Sequence, residues 1–180
     1  GMQSLAAAPF AWSFGDFGHC LFPPTLCAAS HGRRALGSWG GLSSDDDPEL
    51  VRDAAPFGLK TMEQLAEALP DHRAIRLALA SGFAQYGYAF VNEEADRVAD
   101  KNINQAQTLY VRARRLYLRG RDYALAGLEI AHPGAQASLR GADRGAWAST
   151  LGSMTADDVP YLYWCAASWA LAVSTGKDKP

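Results

Sequence analysis

Residues 104–131 read NQAQTLYVRARRLYLRGRDYALAGLEIA, and this stretch decides the fold. Its apolar side consists of residues that recur at helical spacing, namely Leu109, Leu116, Tyr123 and Leu128. The stretch is followed by His-Pro-Gly at 132–134, a combination that stops a helix because proline cannot continue it and glycine tolerates the turn that follows. The sequence therefore predicts one long amphipathic helix over residues 104–131.

Two more helices are predicted before this stretch. Asp47 is placed to cap a helix, and Pro48 suits the first helical position because its missing N–H is not needed there. A helix is therefore predicted over residues 48–69, with a bend near Pro56, where a backbone hydrogen bond is lost. A second helix is predicted over residues 73–97.

Glycine and capping signals complete the helical pattern. Gly82 and Gly87 lie inside the predicted helix over residues 73–97, where we interpret them as points of close packing with a neighbouring helix. A last helix is predicted over residues 157–175, and a short amphipathic piece over residues 143–151 precedes it. Every segment with a clear period is thus helical.

The chain is predicted to be all-α, because strand signals are nearly absent and long helical stretches are joined by short turns. Either a bundle or a stack of helix pairs fits this pattern. Residues 74–129 have the small-residue and aromatic pattern of tetratricopeptide-like helix pairs, although no strict repeat of about 34 residues recurs. We predict a tetratricopeptide-like stack of antiparallel helix pairs over residues 42–180. Residues 1–41 lack a helical period and are predicted to be a poorly ordered segment.

The composition argues against several functional classes. The 180 residues include 17 basic and 19 acidic side chains, which argues against nucleic-acid binding because phosphate contacts need an excess of Lys and Arg. The apolar run over residues 161–173 is shorter than the ~18 residues that indicate a membrane-spanning helix. Three cysteines, Cys20, Cys27 and Cys165, have neither a metal-ligand spacing nor a CxxC pair.

Catalytic and metal-binding motifs are not found in the sequence. Four histidines, His19, His31, His72 and His132, are scattered without ligand spacing. The acidic run at residues 45–47 lacks the alternating ligands, turn glycine and distant glutamate of a calcium loop, so it is interpreted as a helix cap. We therefore predict a protein that is not an enzyme and has no cofactor and no metal site.

The arginines of the 104–131 helix are its most informative polar residues. Arg112, Arg115 and Arg119 share one helix face. In the structural interpretation, these arginines make ion pairs within the protein, and we favour it for any single residue. It predicts that Arg115 and Arg119 pair with Glu94 and Asp96, because a partly buried guanidinium without a partner is costly. In the functional interpretation, some of these groups line a cleft for an anionic or mixed polar and apolar ligand.

The aromatic residues leave the same two alternatives. Residues 160–164 and Trp169 can form the wall of a ligand site, but aromatic residues at helical spacing more often belong to the core. The residues that we predict for ligand or partner binding are Tyr86, Tyr88, Phe90, Arg112, Arg115, Arg119, Tyr123 and Trp164.

Residues 43–178 resemble the T-component family of TRAP transporters, the helical proteins with tetratricopeptide-like folds associated with tripartite ATP-independent periplasmic transport. The resemblance is carried by four stretches in the family's order: SDDDPELVRDA at 44–54; YGYAFV at 86–91 followed by EAD at 94–96; ARRLYLRGRDY at 113–123; and DVP at 158–160 followed by YW at 163–164 and KD at 177–178.

The resemblance implies a non-enzymatic periplasmic protein, lipid-anchored in its native form, that partners a TRAP substrate-binding protein. It also implies a homo-oligomer, a trimer, with a hydrophobic cleft or pore that a ligand can enter. Family members usually begin with a lipoprotein leader, which residues 2–41 do not resemble. They usually continue with more helices beyond residues 177–178, so we expect a domain shortened at its C-terminal end. The alternative function is a stand-alone periplasmic carrier of a lipid or another hydrophobic small molecule.

Overall fold

The computed structural model describes residues 45–176, and the regular structure in this range is entirely helical. The prediction of an all-α fold is therefore confirmed. The elements, in chain order, are α1 (Pro48–Ala68), α2 (Arg73–Tyr86), a π-helical segment (Gly87–Asn92), α3 (Glu93–Ala99), α4 (Ile103–Ala131), α5 (Ala135–Arg140), α6 (Arg144–Gly152), a 3₁₀ turn (Ala156–Asp158) and α7 (Val159–Ser174).

Local sequence signals account for the ends of the two longest helices. The Asp47 carboxylate accepts hydrogen bonds from the backbone N–H groups of Glu49 and Leu50 at 3.1 and 3.0 Å, so it caps α1 as predicted. α1 is helical on both sides of Pro56. After α4, Gly134 has a φ of 90°, a left-handed conformation that glycine adopts readily.

The predicted helix over residues 73–97 contains an irregularity. It consists of α2, the π-helical segment and α3, and it continues to Ala99. A π-helical hydrogen bond spans one more residue than an α-helical one, so the segment shifts the rotational phase of the side chains that follow it. The short helix α5 is not predicted by the sequence pattern, whereas α6 occupies the predicted amphipathic piece over residues 143–151.

α4 is the central helix of the described range. It packs along α2 on one side and along α7 on the other, and α2 also contacts α7. The fully buried side chains of these helices include Leu79 on α2 and Tyr117 and Leu125 on α4. α1 has a smaller interface, mainly with α2, in which Leu59 and Ala66 are buried. The core therefore lies between α2, α4 and α7, and α1 lies at its edge.

Two glycines on α4 allow its neighbours to approach closely. A Cβ atom at Gly120 would lie 2.9 Å from a backbone carbonyl oxygen of α2. A Cβ atom at Gly127 would lie 2.4 Å from the Tyr161 ring of α7. Gly87, which the sequence marks as a point of close packing, lies against Tyr117. The spacing between these helices therefore depends on positions without a side chain.

Several predictions concern residues outside the described range. They are the poorly ordered segment 1–41, the cysteines Cys20 and Cys27, the histidines His19 and His31, and the KD pair at 177–178. Between residues 45 and 176, no helix combines the length and the apolar character that crossing a membrane requires.

Candidate functional site

α1 and α4 lie on either side of α2 and run antiparallel to it. Two cation–π contacts mark their positions. The Arg52 guanidinium of α1 lies 5.7 Å from the centroid of the Phe90 ring, and the Arg119 guanidinium of α4 lies 4.9 Å from that of Phe83. We call the space between α1 and α4, with α2 and the π-helical segment as its floor, the α1–α4 groove.

One end of the groove, the Glu63 end, is closed by a buried carboxylate. Glu63 of α1 accepts a hydrogen bond from Lys60 Nζ at 2.7 Å and one from the Tyr123 hydroxyl at 2.7 Å, and it forms an ion pair with Arg119. The Tyr123 ring stacks on Phe83 with the ring centroids 5.8 Å apart. Polar groups from α1 and α4 therefore meet over an aromatic floor.

The electrostatics of the Glu63 end follow from these contacts. Burial acts to raise the pKa of Glu63, but the hydrogen bonds from Lys60 and Tyr123 and the charge of Arg119 outweigh it, so this pKa lies below its ordinary value of 4.5. Burial and the neighbouring Glu63 carboxylate raise the pKa of Tyr123 to about 12. At neutral pH, Glu63 is ionised and Tyr123 donates a hydrogen bond to it.

The opposite end, the Phe90 end, is aromatic and positively charged. Phe90 packs against Tyr86 with the ring centroids 5.6 Å apart, and Arg52 lies over Phe90 from the α1 side. Arg112 lies about two turns before Arg119 on α4. Phe90 lies about two turns after Phe83, along α2 and the π-helical segment, which run antiparallel to α4. Because Arg119 lies over Phe83, Arg112 and Phe90 are at the same level along the groove. Arg115 lies one turn after Arg112 on α4 and is exposed.

The predicted ion pairs of Arg115 and Arg119 with Glu94 and Asp96 are wrong. Arg119 does pair with a carboxylate, but with Glu63 of α1. Arg115 is exposed and makes no ion pair or hydrogen bond with any residue that the structure describes.

The antiparallel register explains this error. Asp96 accepts a hydrogen bond from the Tyr110 hydroxyl at 2.5 Å, so α3 lies beside the first turns of α4. Arg115 lies more than one turn farther along α4, beyond the reach of these carboxylates. Glu94 instead pairs with Arg97 in its own helix.

Four of the eight predicted site residues, Tyr86, Phe90, Arg119 and Tyr123, make contacts at the groove. Arg112 and Arg115 are exposed on α4, on the face that carries Arg119, and the other two lie elsewhere. Tyr88 is 40% exposed and interacts with Glu93 rather than with the groove residues. Trp164 packs at the interface of α2, α4 and α7, with its ring edge-to-face against Tyr163 at 5.2 Å between centroids.

Several groove residues are absent from the predicted set, among them Glu63 and Arg52. Glu63 carries a readable signal, because it falls on the same helix face as Leu59, Met62 and Ala66, where an unpaired carboxylate would be costly. Arg52 carries no such signal, since a lone arginine in the first turns of a helix is common on surfaces. Only its contact with Phe90 places it in the groove.

A second buried carboxylate, Asp158, lies at the junction of α2, α4 and α7. Its Oδ1 accepts a hydrogen bond from Arg73 at 2.6 Å, and its Oδ2 lies 2.9 Å from His132 Nε2 and accepts the Thr155 backbone N–H at 2.9 Å. Burial acts to raise the pKa of Asp158, but the Thr155 N–H, His132 and Arg73 outweigh it and hold this pKa far below its ordinary value. The same Arg73 donates to the carbonyl of Gly127, so the cluster connects three helices.

The outer face of α1 is apolar and exposed. We define this outer face as the exposed residues Leu50, Ala54, Phe57, Thr61 and Leu65, which recur at helical spacing. Phe57 is 78% exposed, which is the largest exposed fraction among the described large apolar residues. A surface of this kind marks a site of interaction more often than an isolated exposed leucine does.

Two further observations concern possible metal ligands and the cysteine of the described range. Between residues 45 and 176, no group of three or more His, Cys, Asp or Glu side chains is arranged to hold a metal ion. Cys165 is buried, and burial raises the pKa of its thiol to about 11, so the thiol is protonated at neutral pH and is a weak nucleophile. At the groove, the described charged groups contact carboxylates and aromatic rings.

The described residues form a helical protein with a polar and aromatic groove, and comparison with known proteins gives its family. The chain belongs to the TRAP transporter T-component family, whose model matches residues 44–180. It is 35% identical over 131 residues to an uncharacterized protein of Treponema pallidum (strain Nichols), in an alignment that covers 73% of this chain and 41% of that relative. The chain thus spans less than half of the length of that relative. The family resemblance seen in the sequence is confirmed.

Proposed function

We propose that this protein is a non-enzymatic accessory protein of a TRAP-type periplasmic solute uptake system, in which it binds the substrate-binding protein. The observation that carries the proposal is the family match over residues 44–180, because the T-component family is an accessory family of TRAP transport. In the same proposal, the α1–α4 groove holds a small or partly apolar ligand.

The outer face of α1 is the proposed docking surface for the substrate-binding protein. Its large apolar residues Leu50, Phe57 and Leu65 point away from the core and have no cover within the described range. Burying them against a partner would be favourable, since burial of apolar surface drives most protein association. A stable interface buries ~1,200 Å² or more in total, and a transient transport encounter can be smaller.

We further propose the family's architecture and location for this chain. α1 packs on α2, α2 packs on α4, and α4 packs on α7. This order of packing fits a tetratricopeptide-like stack of antiparallel helix pairs. By the same family relationship we propose a periplasmic location, a lipid anchor in the native form and a homo-trimer.

Association with the cognate TRAP substrate-binding protein tests the proposed function. Calorimetry with that protein, with and without its solute, should give a saturable association that Phe57→Ser weakens at least tenfold. Leu151→Ser is the matched control, because Leu151 is also an exposed apolar residue, on α6. Arg112→Ala and Tyr123→Ala should leave this association intact if the outer face, and not the groove, contacts the partner.

The alternative function is a stand-alone periplasmic carrier of a lipid or another hydrophobic small molecule. The aromatic floor at Tyr86 and Phe90 is the observation that favours it. The absence of association with the substrate-binding protein at high micromolar concentration, together with a lipid that co-purifies with the protein, would contradict the accessory role and support the carrier.

A further inference from the structure

The arginines of the described range differ in whether they have a partner. Most of them donate to a carboxylate or to a backbone carbonyl oxygen. Arg112, Arg115 and Arg144 make no ion pair or hydrogen bond with any residue between 45 and 176. Two of these three, Arg112 and Arg115, lie one turn apart on α4 at the Phe90 end of the groove.

A third guanidinium reaches the Phe90 end from α1. The Nη1 atom of Arg52 is 3.5 Å from a carboxylate oxygen of Glu49, and its Nε is buried without a hydrogen-bond partner among the described residues. A buried N–H group without an acceptor is unfavourable, so this end of the groove has a donor that an added acceptor would satisfy.

The two ends of the groove therefore differ in charge. At the Glu63 end, one buried carboxylate pairs with both Lys60 and Arg119. At the Phe90 end, Arg112 and Arg115 have no carboxylate, and Arg52 has only the partly solvated Glu49. An anion that enters the groove therefore meets guanidinium groups without a carboxylate partner at the Phe90 end, whereas the cations of the Glu63 end already contact Glu63.

The floor of the Phe90 end is apolar. Phe90 and Tyr86 are half-buried and pack against each other, so part of their ring surface is exposed. A ligand that places only a charged group here would leave this surface in contact with water. An anion with an apolar body would cover it.

We propose that the Phe90 end of the α1–α4 groove binds the carboxylate of an amphiphilic small molecule, with its apolar part on Tyr86 and Phe90. The proposal rests on the proposed function, in which the groove holds a small ligand. Arg52, Arg112 and Arg115 bind the carboxylate, because a guanidinium presents paired N–H donors that match its two oxygens.

Four probes separate the head group from the apolar body. Octanoate, octylammonium, octanol and acetate are titrated into the full chain, and binding is followed by calorimetry and by amide chemical-shift changes. We expect octanoate to bind at least tenfold more tightly than each of the other three, and its shift changes to concentrate in the π-helical segment and the adjoining turns of α1 and α4.

Charge-removing variants test two of the three arginines. Arg112→Gln and Arg115→Gln should each weaken octanoate binding by about tenfold, because each removes a charge-assisted hydrogen-bond donor. Arg144→Gln is the matched control, since it removes an equally exposed and unpaired arginine from α6. It should leave octanoate binding unchanged, and all three variants should keep the thermal midpoint of the parent protein.

Four results would overturn this proposal. The first is that octanol binds as tightly as octanoate, and the second is that Arg144→Gln loses as much octanoate affinity as Arg112→Gln. The third is that the chemical-shift changes are confined to α7. The fourth is that octanoate does not bind at about 10 mM, a concentration beyond which binding is too weak to be specific. None of these results depends on the substrate-binding protein. A failure of the accessory role and a failure of the carboxylate site are therefore seen in different experiments.

Discussion

Asp158 and Glu63 are both buried carboxylates with an arginine partner, yet they connect different parts of the molecule. Asp158 lies where α2, α4 and α7 meet, and these helices also share the main apolar core. Glu63 connects α1 to α4, two helices that otherwise contact each other little. The difference indicates that one carboxylate supports the fold as a whole, whereas the other positions one edge helix and shapes the groove.

The partners of the two carboxylates differ in exposure as well. Arg73 is 27% exposed, and Asp158 also receives a backbone N–H, so its contacts lie largely inside the protein. The Glu63 partners Lys60 and Arg119 are 63% and 46% exposed. After loss of the carboxylate, Lys60 and Arg119 can be solvated by water, whereas Arg73 has less access to it.

The largest effect is expected for Asp158→Ala. The substitution leaves Arg73 and the Thr155 N–H without their acceptor, so we expect a loss of about 3–5 kcal/mol in the free energy of unfolding. Urea denaturation measures it. Asp157→Ala, which removes the neighbouring exposed carboxylate, is the control and should change stability by less than about 0.5 kcal/mol. Equal effects of the two substitutions would contradict the role assigned to Asp158.

The next effect concerns Gly127, whose carbonyl accepts a hydrogen bond from Arg73 in the same junction. The Cβ atom added by Gly127→Ala would lie 2.4 Å from the Tyr161 ring, so α4 and α7 must move apart. We expect a loss of about 1–3 kcal/mol from this overpacking.

Gly152→Ala is the matched control for Gly127→Ala. Gly152 is also helical, and a Cβ atom there would meet nothing within 4 Å. This substitution should be neutral or stabilising by up to about 1 kcal/mol, because alanine loses less backbone entropy on folding. A neutral Gly127→Ala would show that the helices at this junction are not closely packed.

A smaller effect is expected for Glu63→Gln. The substitution removes the charge that Lys60 and Arg119 share, but both can be solvated, so the loss should be about 1–2 kcal/mol. Hydrogen exchange distinguishes this variant from the Asp158 variant: amides of α1 should exchange faster, and those of α4 and α7 should not.

The control for Glu63→Gln is Glu67→Gln, one turn further along α1, where the carboxylate is exposed. It should leave the exchange of α1 unchanged. Faster exchange throughout all helices in the Glu63 variant would place this carboxylate in the same class as Asp158.

The sequence predicts the helices of this molecule better than it predicts their contacts. The end of α4 follows from His132, Pro133 and Gly134, and the start of α1 from Asp47 and Pro48, because these signals act within a few residues. The π-helical segment is not predicted, since its glycine at position 87 also fits an ordinary α-helix in close contact with a neighbour.

The groove depends on interactions between distant parts of the chain, and this limits what its sequence pattern can predict. The shared face of Arg112, Arg115 and Arg119 is readable from spacing alone. The partner of Arg119 is not, because the choice between Glu63 and Glu94 depends on which helix packs beside α4 and at which level. The sequence therefore predicts the arginine face of α4 and misses the residues of α1 that contact it.

The smallest effect is expected in the pH dependence of stability. The folded-state pKa of Asp158 is lowered, so its contribution to stability is complete above its ordinary pKa of 3.8 and is lost as the pH falls towards the folded-state value. Because the unfolded state takes up the proton first, the loss between pH 5 and pH 3 should be about 1 kcal/mol for this group. The lowered pKa of Glu63 acts in the same direction from its ordinary value of 4.5.

Denaturation curves at pH 5 and pH 3 should therefore show a smaller acid-induced loss in Asp158→Asn than in the parent protein, because the amide has no proton to gain. Asp157→Asn is the control, and it should lose stability on acidification as the parent protein does. Since Asp158 lies at the core junction, the parent protein should lose protection in α2, α4 and α7 together. If acidification instead released α1 alone, Glu63 rather than Asp158 would control the acid response, and the contrast between the two carboxylates would reverse.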